Sequence, residues 1–154
     1  MARETILLAT DFSPASRPAV RQAFRLSKTT GATLVIAYVL EEAIPFSPEG
    51  YILPRVYEEL AQAVRAQAQR KMRALLALAR KTGVQARGLL LRGAPHEAIV
   101  RAARGHRAGQ IIVGTHGRSG VSRLILGSVA ARVIAAAACP TLVVPARRKA
   151  GRKA

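Results

Sequence analysis

Short apolar runs of strand length alternate along this chain with stretches whose apolar residues recur at helical spacing. The first run is "TILLAT" (Thr5–Thr10) and the second is "TLVIAYVL" (Thr33–Leu40). Between them, Ser13 is placed to cap a helix that Pro14 opens, and Ala19, Val20, Ala23 and Phe24 form its apolar stripe. Pro18 falls within the first turn or so, where proline does least harm, and Gly31 ends the helix. "EEAIPFSPEGY" has two prolines and a glycine and reads as a loop. Pro54–Lys81 predicts a long helix with Val56, Leu60, Val64, Met72, Leu75, Leu76 and Ala79 on one side, stopped by Gly83. "ARGLLLR" (Ala86–Arg92) reads as a third strand despite Gly88 inside it, and Pro95 to Gly105 as a helix. "QIIVGT" (Gln110–Thr115) is a fourth strand, "SVAARVIAAAA" a helix capped by Ser128, and "TLVVPA" a fifth strand.

Apolar strands alternating with helices predict an α/β domain whose parallel sheet is covered on both faces. Right-handed crossovers then give an open, doubly wound, five-stranded sheet of order 3-2-1-4-5. Ligands of such sheets bind beyond the carboxyl ends of the strands, where the winding reverses. That crevice lies between the first and fourth strands, so Asp11 and Gly114 would meet there.

Composition narrows the picture. The 154 residues suit one domain, expected over 1–146, with a basic tail over 147–154. Half the residues are hydrophobic but only 4% are aromatic, so Ala, Val, Leu and Ile must build the core. Cys139 is the sole cysteine, which excludes an internal disulfide and leads to an expectation of a reducing, cytoplasmic setting. The N-terminal apolar run is far too short for a signal peptide or a membrane span. The 25 Lys and Arg against 8 Asp and Glu give a net charge of +17, which favours polyanions or is simply a basic surface. Five of those charges lie in "ARRKAGRKA", so the remainder is basic too. Few aromatics and no helix-turn-helix or zinc pattern limit any nucleic-acid association to weak, salt-sensitive binding.

The stretch "GTHGRSGVSRLILGS" (Gly114–Ser128) carries the candidate chemistry. It leads from a strand into a helix N-terminus, where free amides and the dipole favour an anion. Its glycines allow close backbone approach, its serines add hydroxyls, and Arg118 and Arg123 add charge. It is neither a P-loop nor the dinucleotide fingerprint, and on spacing alone a Gly/Ser loop without a ligand is the alternative. Asp11, the sole aspartate, can cap the following helix, accept hydrogen bonds from a ligand, or do both. His116 either touches phosphate or faces solvent. His96, His106 and His116 show no metal-ligand spacing, and His96 and His106 are expected at the surface. Cys139, before Pro140, is expected to act as a small buried apolar residue. No nucleophile–base pattern stands out, so a dedicated enzyme is not indicated and turnover of any phosphate ligand would be slow at most.

"VGTHGRSGVSRLILGSVAARVIAAAACPTLVV" resembles the signature end of the universal stress protein family. Gly114, Gly117, Gly127 and Ser128 fit its nucleotide pattern G-x2-G-x9-G-[ST], and "ILLATDFSPAS", "RGAPHEAIV" and "ACPTLVVP" extend the likeness over most of the chain. The resemblance implies a Rossmann-like fold of the adenine nucleotide alpha hydrolase type, and ATP as ligand, with any Mg2+ carried on the phosphates. By this resemblance Asp11 would meet the adenosine, the Val39 backbone would contact adenine, and Gly114, Gly117, Gly127 and Ser128 would hold ribose and phosphates. Thr10, Thr115, His116, Arg118 and Val129 adjoin these positions and complete the expected set. Gln110 departs from the Asp of many relatives but lies outside the glycine pattern. A regulatory role in the stress response and a homodimer through the edge strand Thr141–Pro145 are implied as well, with an unidentified protein partner. The alternatives are the same fold without nucleotide, acting as a protein-interaction module, and a weak nucleic-acid binder.

Overall fold

The protein is described from a computed structural model, which covers residues 4–40, 46–47, 50–51, 53–115 and 126–146. In chain order the elements are β1 (Thr5–Ala9), a 3-10 turn (Pro14–Ser16), α1 (Arg17–Thr30), β2 (Thr33–Leu40), β3 (Phe46–Ser47) and β4 (Gly50–Tyr51). They continue with α2 (Pro54–Lys81), β5 (Ala86–Arg92), α3 (Pro95–Gly105), β6 (Ala108–Gly114), α4 (Ser128–Ala136) and β7 (Thr141–Val144). Five strands form one parallel sheet in the order β5-β2-β1-β6-β7, which is the predicted 3-2-1-4-5.

Alternation along the central strands sends side chains to two separate cores. Ile6, Leu8, Leu34, Ile36 and Ile112 meet α1 and α2 on one face, through Ala19, Ala23, Ala68 and Met72. Leu7, Val35, Ile111 and Val113 meet α3 and α4 on the other, through Ile99, Ala103, Ala130 and Val133. Leu7, Leu8, Leu34, Ile36, Ile111 and Ile112 are all fully buried, and each contributes about 1.5–3 kcal/mol by leaving water. Small helix residues let α1 and α3 sit close to the sheet, which suits a chain with few aromatics.

Several boundaries differ from the sequence reading for local reasons. Ser13 does cap, but it caps the 3-10 turn: its Oγ accepts from the Ser16 amide at 3.3 Å, and α1 begins only at Arg17. The segment read as a loop after β2 contains the short antiparallel pair β3–β4. Gly127, not Ser128, is the capping residue of α4: its extended backbone (φ −57°, ψ 148°) precedes the helix, and its carbonyl accepts from the Ala131 amide. The same helix stops at Ala136, because Ala137 is already extended ahead of Pro140. β1 ends at Ala9 rather than Thr10, β6 starts at Ala108 rather than Gln110, and β7 ends at Val144.

The α2 stripe also divides. Met72 and Ala79 are buried and Leu75 and Leu76 half-buried, but Val56, Leu60 and Val64 are exposed, as is Leu53 before the helix. No residue of α2 is buried before Ala68. Cys139 is half-buried at the rim of the α3–α4 core, where burial pushes its thiol up while the Ile111 backbone opposes the shift. A thiol so placed stays protonated at neutral pH and is a poor nucleophile.

Gly88 has a packing reason to interrupt its strand. A Cβ there would stand 2.6 Å from both Cγ and Sδ of Met72, so the missing side chain lets α2 lie on β5. Gly88→Val should therefore lower stability by about 1–3 kcal/mol in urea denaturation, although valine favours strands. An unchanged midpoint would show that Met72 moves aside freely.

Candidate functional site

A cleft of about 450 Å3 opens beyond the carboxyl ends of β1, β2 and β6. It exists because β1 and β6 are neighbours whose following helices leave to opposite faces of the sheet: α1 to one core, α4 to the other. Its floor is made of short side chains. Ala9 pairs in register with Ala37 on one side and Val113 on the other, and Gly114 follows. Two alanines side by side, Ala9 at the end of β1 and Ala37 within β2, leave room that larger residues would fill. Val39, Ile99 and Val129 supply apolar walls, and Pro95 brings in the start of α3.

The β1 side is held by a hydrogen-bond network. The Thr10 amide donates to the Ala37 carbonyl at 3.0 Å, which fixes the strand end. Ser16 Oγ donates its proton to the Ser13 carbonyl at 2.9 Å, so Thr10 must be the donor in the 3.0 Å contact between Thr10 Oγ1 and Ser16 Oγ. Thr10 Oγ1 in turn accepts from the Phe12 amide at 3.1 Å. Phe12 has φ 60°, a left-handed conformation that an aromatic residue adopts only when its surroundings compel it. The Thr10 bond and a ring contact with Tyr38 (centroids 4.8 Å apart) hold it there. This sharp turn brings Asp11 to the cleft wall, where Oδ1 accepts from the Ser13 amide at 2.9 Å. Asp11 therefore braces the turn ahead of the capping residue Ser13 and does not itself cap a helix, and its carboxylate borders the cavity.

On the β6 side the chain is pinned twice. The Thr115 amide donates to the Val144 carbonyl at 3.1 Å, and the Thr115 carbonyl accepts from the Gly127 amide at 2.7 Å. The two ends of the glycine-rich stretch are thereby joined directly. Gly127 has no side chain with which to cap α4, so the first-turn amides of that helix are not satisfied by its capping residue. Ser128, Val129 and Ala130 border the cleft at that end.

Of the residues singled out from sequence, Thr10, Asp11, Val39, Gly114, Thr115, Gly127, Ser128 and Val129 all line this one cleft. His116, Gly117 and Arg118 lie outside the described residues, as do Ser119, Gly120, Ser122 and Arg123. The sequence reading missed Ala9, Ser16, Ala37, Tyr38, Pro95, Ile99, Val113 and Ala130. Ala9 and Ala37 could have been noticed as the small members of two otherwise bulky strands. His96 and His106 are half-buried rather than at the surface; His106 Nδ1 lies 3.0 Å from Arg87 Nη2, and neither histidine lines the cleft. Among the described lining residues Asp11 is the sole carboxylate, and none is Lys, Arg or His.

The arrangement offers an apolar slot, one anionic acceptor and a set of amide donors at a helix start. It suits a flat apolar group joined to hydroxyls and an anion. No histidine or lysine base stands among the described lining residues. No cluster of three or more His, Cys, Asp or Glu suited to a metal ion occurs among the described residues either.

Comparison with known proteins agrees with this geometry. The model of the universal stress protein family matches residues 2–145. A universal stress protein from Thermus aquaticus is 36% identical over 143 residues, covering 92% of this chain and 98% of its own. The structure of the universal stress protein UspA from Lactobacillus plantarum superposes with a TM-score of 0.80 at 26% identity, covering 94% of this chain and 99% of that one. A universal stress protein crystallised in complex with cAMP gives a TM-score of 0.64 at 25% identity, over 96% of this chain and 100% of its own.

The Thr10 network should carry measurable stability. Thr10→Val keeps the shape but leaves the Phe12 amide without its acceptor and Ser16 without its donor, at a cost of about 1–3 kcal/mol. Chemical denaturation of the variant checks this; an unchanged midpoint would mean water replaces the hydroxyl.

Proposed function

This chain belongs to the universal stress protein family, and on that premise we propose that it is an ATP-binding regulatory module of the stress response. The observation that carries the reading is the convergence of Asp11, the short-residue floor and the uncapped start of α4 on one cleft. In this reading the adenine enters the slot between Val39 and the α3–α4 walls. Asp11 accepts from ribose hydroxyls, and the amides at Ser128 and Val129 face the phosphates. His116, Gly117 and Arg118 belong to the same reading as phosphate contacts. A cavity of about 450 Å3 accommodates a nucleoside, with phosphates extending outward. The relative that binds cAMP supports an adenine nucleotide as the ligand class. Any Mg2+ would arrive on the phosphates. Among the described lining residues there is no histidine or lysine base, and in this reading the nucleotide acts as an effector with slow hydrolysis at most.

The same proposal includes a cytoplasmic homodimer. β7 pairs with β6 on one side only, and its other edge offers unpaired backbone to a second copy through Thr141–Pro145. An unidentified protein partner would read the nucleotide state. Residues 147–154 are proposed as a basic tail outside the domain of residues 1–146.

Calorimetry with ATP tests the ligand. At a concentration near 100 times Kd, ATP should stabilise the fold by about 2.7 kcal/mol. Asp11→Asn keeps an acceptor for the Ser13 amide but removes the charge, and it should weaken ATP binding with little loss of stability. Gly117→Val should block binding with the fold intact. Absence of heat and of thermal protection at millimolar nucleotide would overturn the reading. For the dimer, light scattering should give twice the 16.4 kDa chain mass.

A further inference from the structure

The outer side of α1 is a ridge of like charge. Arg17, Arg21, Arg25 and Lys28 recur at helical spacing and are all exposed. The helix contains no acidic residue, and its other exposed positions are Thr29 and Thr30. Successive arginines at four-residue spacing rise about 6 Å along the axis, and the ridge is about 16 Å long. Like charges at this spacing destabilise a helix. Among the described residues no ion pair relieves them: the pairs join Arg55 to Glu59 and His96 to Glu97, and none involves α1. The ridge also has company. α2 covers the same face of the sheet, and from Arg65 to Lys81 it adds six exposed cations without one acid.

We propose that this α1–α2 face is a docking surface for the phosphodiester backbone of duplex nucleic acid. Charge complementarity selects the partner. Three of the four ridge cations are arginines, whose planar fork binds phosphate oxygens in pairs. Along the α1 ridge a lipid surface fits less well, because helices that lie on membranes present apolar side chains beside their cations and α1 exposes none. α2 does expose Val56, Leu60, Val64 and Leu78, so vesicles form one arm of the test. The absence of exposed aromatics on α1 removes base stacking, so the contact is to the backbone and independent of sequence. The surface is separate from the cleft, whose described lining includes none of these cations.

The test is fluorescence anisotropy of a short labelled DNA duplex with the full chain, between about 50 and 200 mM salt. Arg21→Glu/Arg25→Glu should weaken binding at least tenfold and reduce the slope of log K against log salt by about 2. The variant should fold, because position 21 lies four residues from Arg17 and position 25 three residues from Lys28; an unchanged thermal midpoint confirms it. Arg101→Glu/Arg104→Glu on α3 makes the same change in net charge and should leave affinity within about twofold of wild type. Equal loss in both variants would reduce the effect to net charge and overturn the proposal. Three further results would overturn it as well: no duplex binding at low salt, loss of binding only on removal of residues 147–154, or capture by anionic phospholipid vesicles but not by duplex.

Discussion

The parting of the chain at the ends of β1 and β6 governs this molecule. Parallel strands need crossovers, and crossovers of one hand can cover both faces only if the winding reverses once. Here the reversal falls between two hydrogen-bonded neighbours, so the helices that follow them pack on opposite faces of the sheet, and among the described residues a cleft lies at the strand ends. The cleft is therefore a product of topology before it is a product of side chains. What the sequence adds is size and polarity: alanines where the floor must be low, valines and isoleucine for the walls, and a single carboxylate at the rim.

The two margins of the cleft are built on different principles. The β1 margin is rigid through side chains: the Thr10 hydroxyl donates to Ser16 Oγ, which donates to the Ser13 carbonyl, while Thr10 Oγ1 accepts from the Phe12 amide and holds Phe12 in a conformation it would not choose alone. The β6 margin is rigid through main chain, since Thr115 is tied both to β7 and to Gly127. A polar network this close to the core must be fully paired to be stable, which explains why three small hydroxyl residues cluster at one strand end. Main-chain ties, in contrast, do not depend on which side chains those positions carry.

Much of this was legible in the sequence. Strand identity, strand order and the position of the crevice followed from uninterrupted apolar runs separated by helical periods, because buried parallel strands have no other pattern. Where the reading slipped, two structures competed locally. Ser13 and Ser128 are equally good capping residues by type, but Pro14 and Ser16 form a 3-10 turn and Gly127 takes the extended cap position. Gly88 weakened a strand assignment because its purpose, the approach of Met72, is a tertiary contact invisible to periodicity. The floor of the cleft escaped for the same reason: an alanine announces nothing until its neighbours across the sheet are known.

The long helix α2 has unequal halves, and this has a thermodynamic meaning. From Ala68 onward it is fastened to the sheet by buried side chains, whereas the turns from Pro54 to Gln67 bury none. A single secondary element thus spans two levels of protection. Amides near Met72 exchange with solvent only when the sheet face itself opens, and those near Leu60 exchange through fraying from the helix start. The helix α2 is consequently soft at its leading end and firm at its trailing end, where it lies on β5.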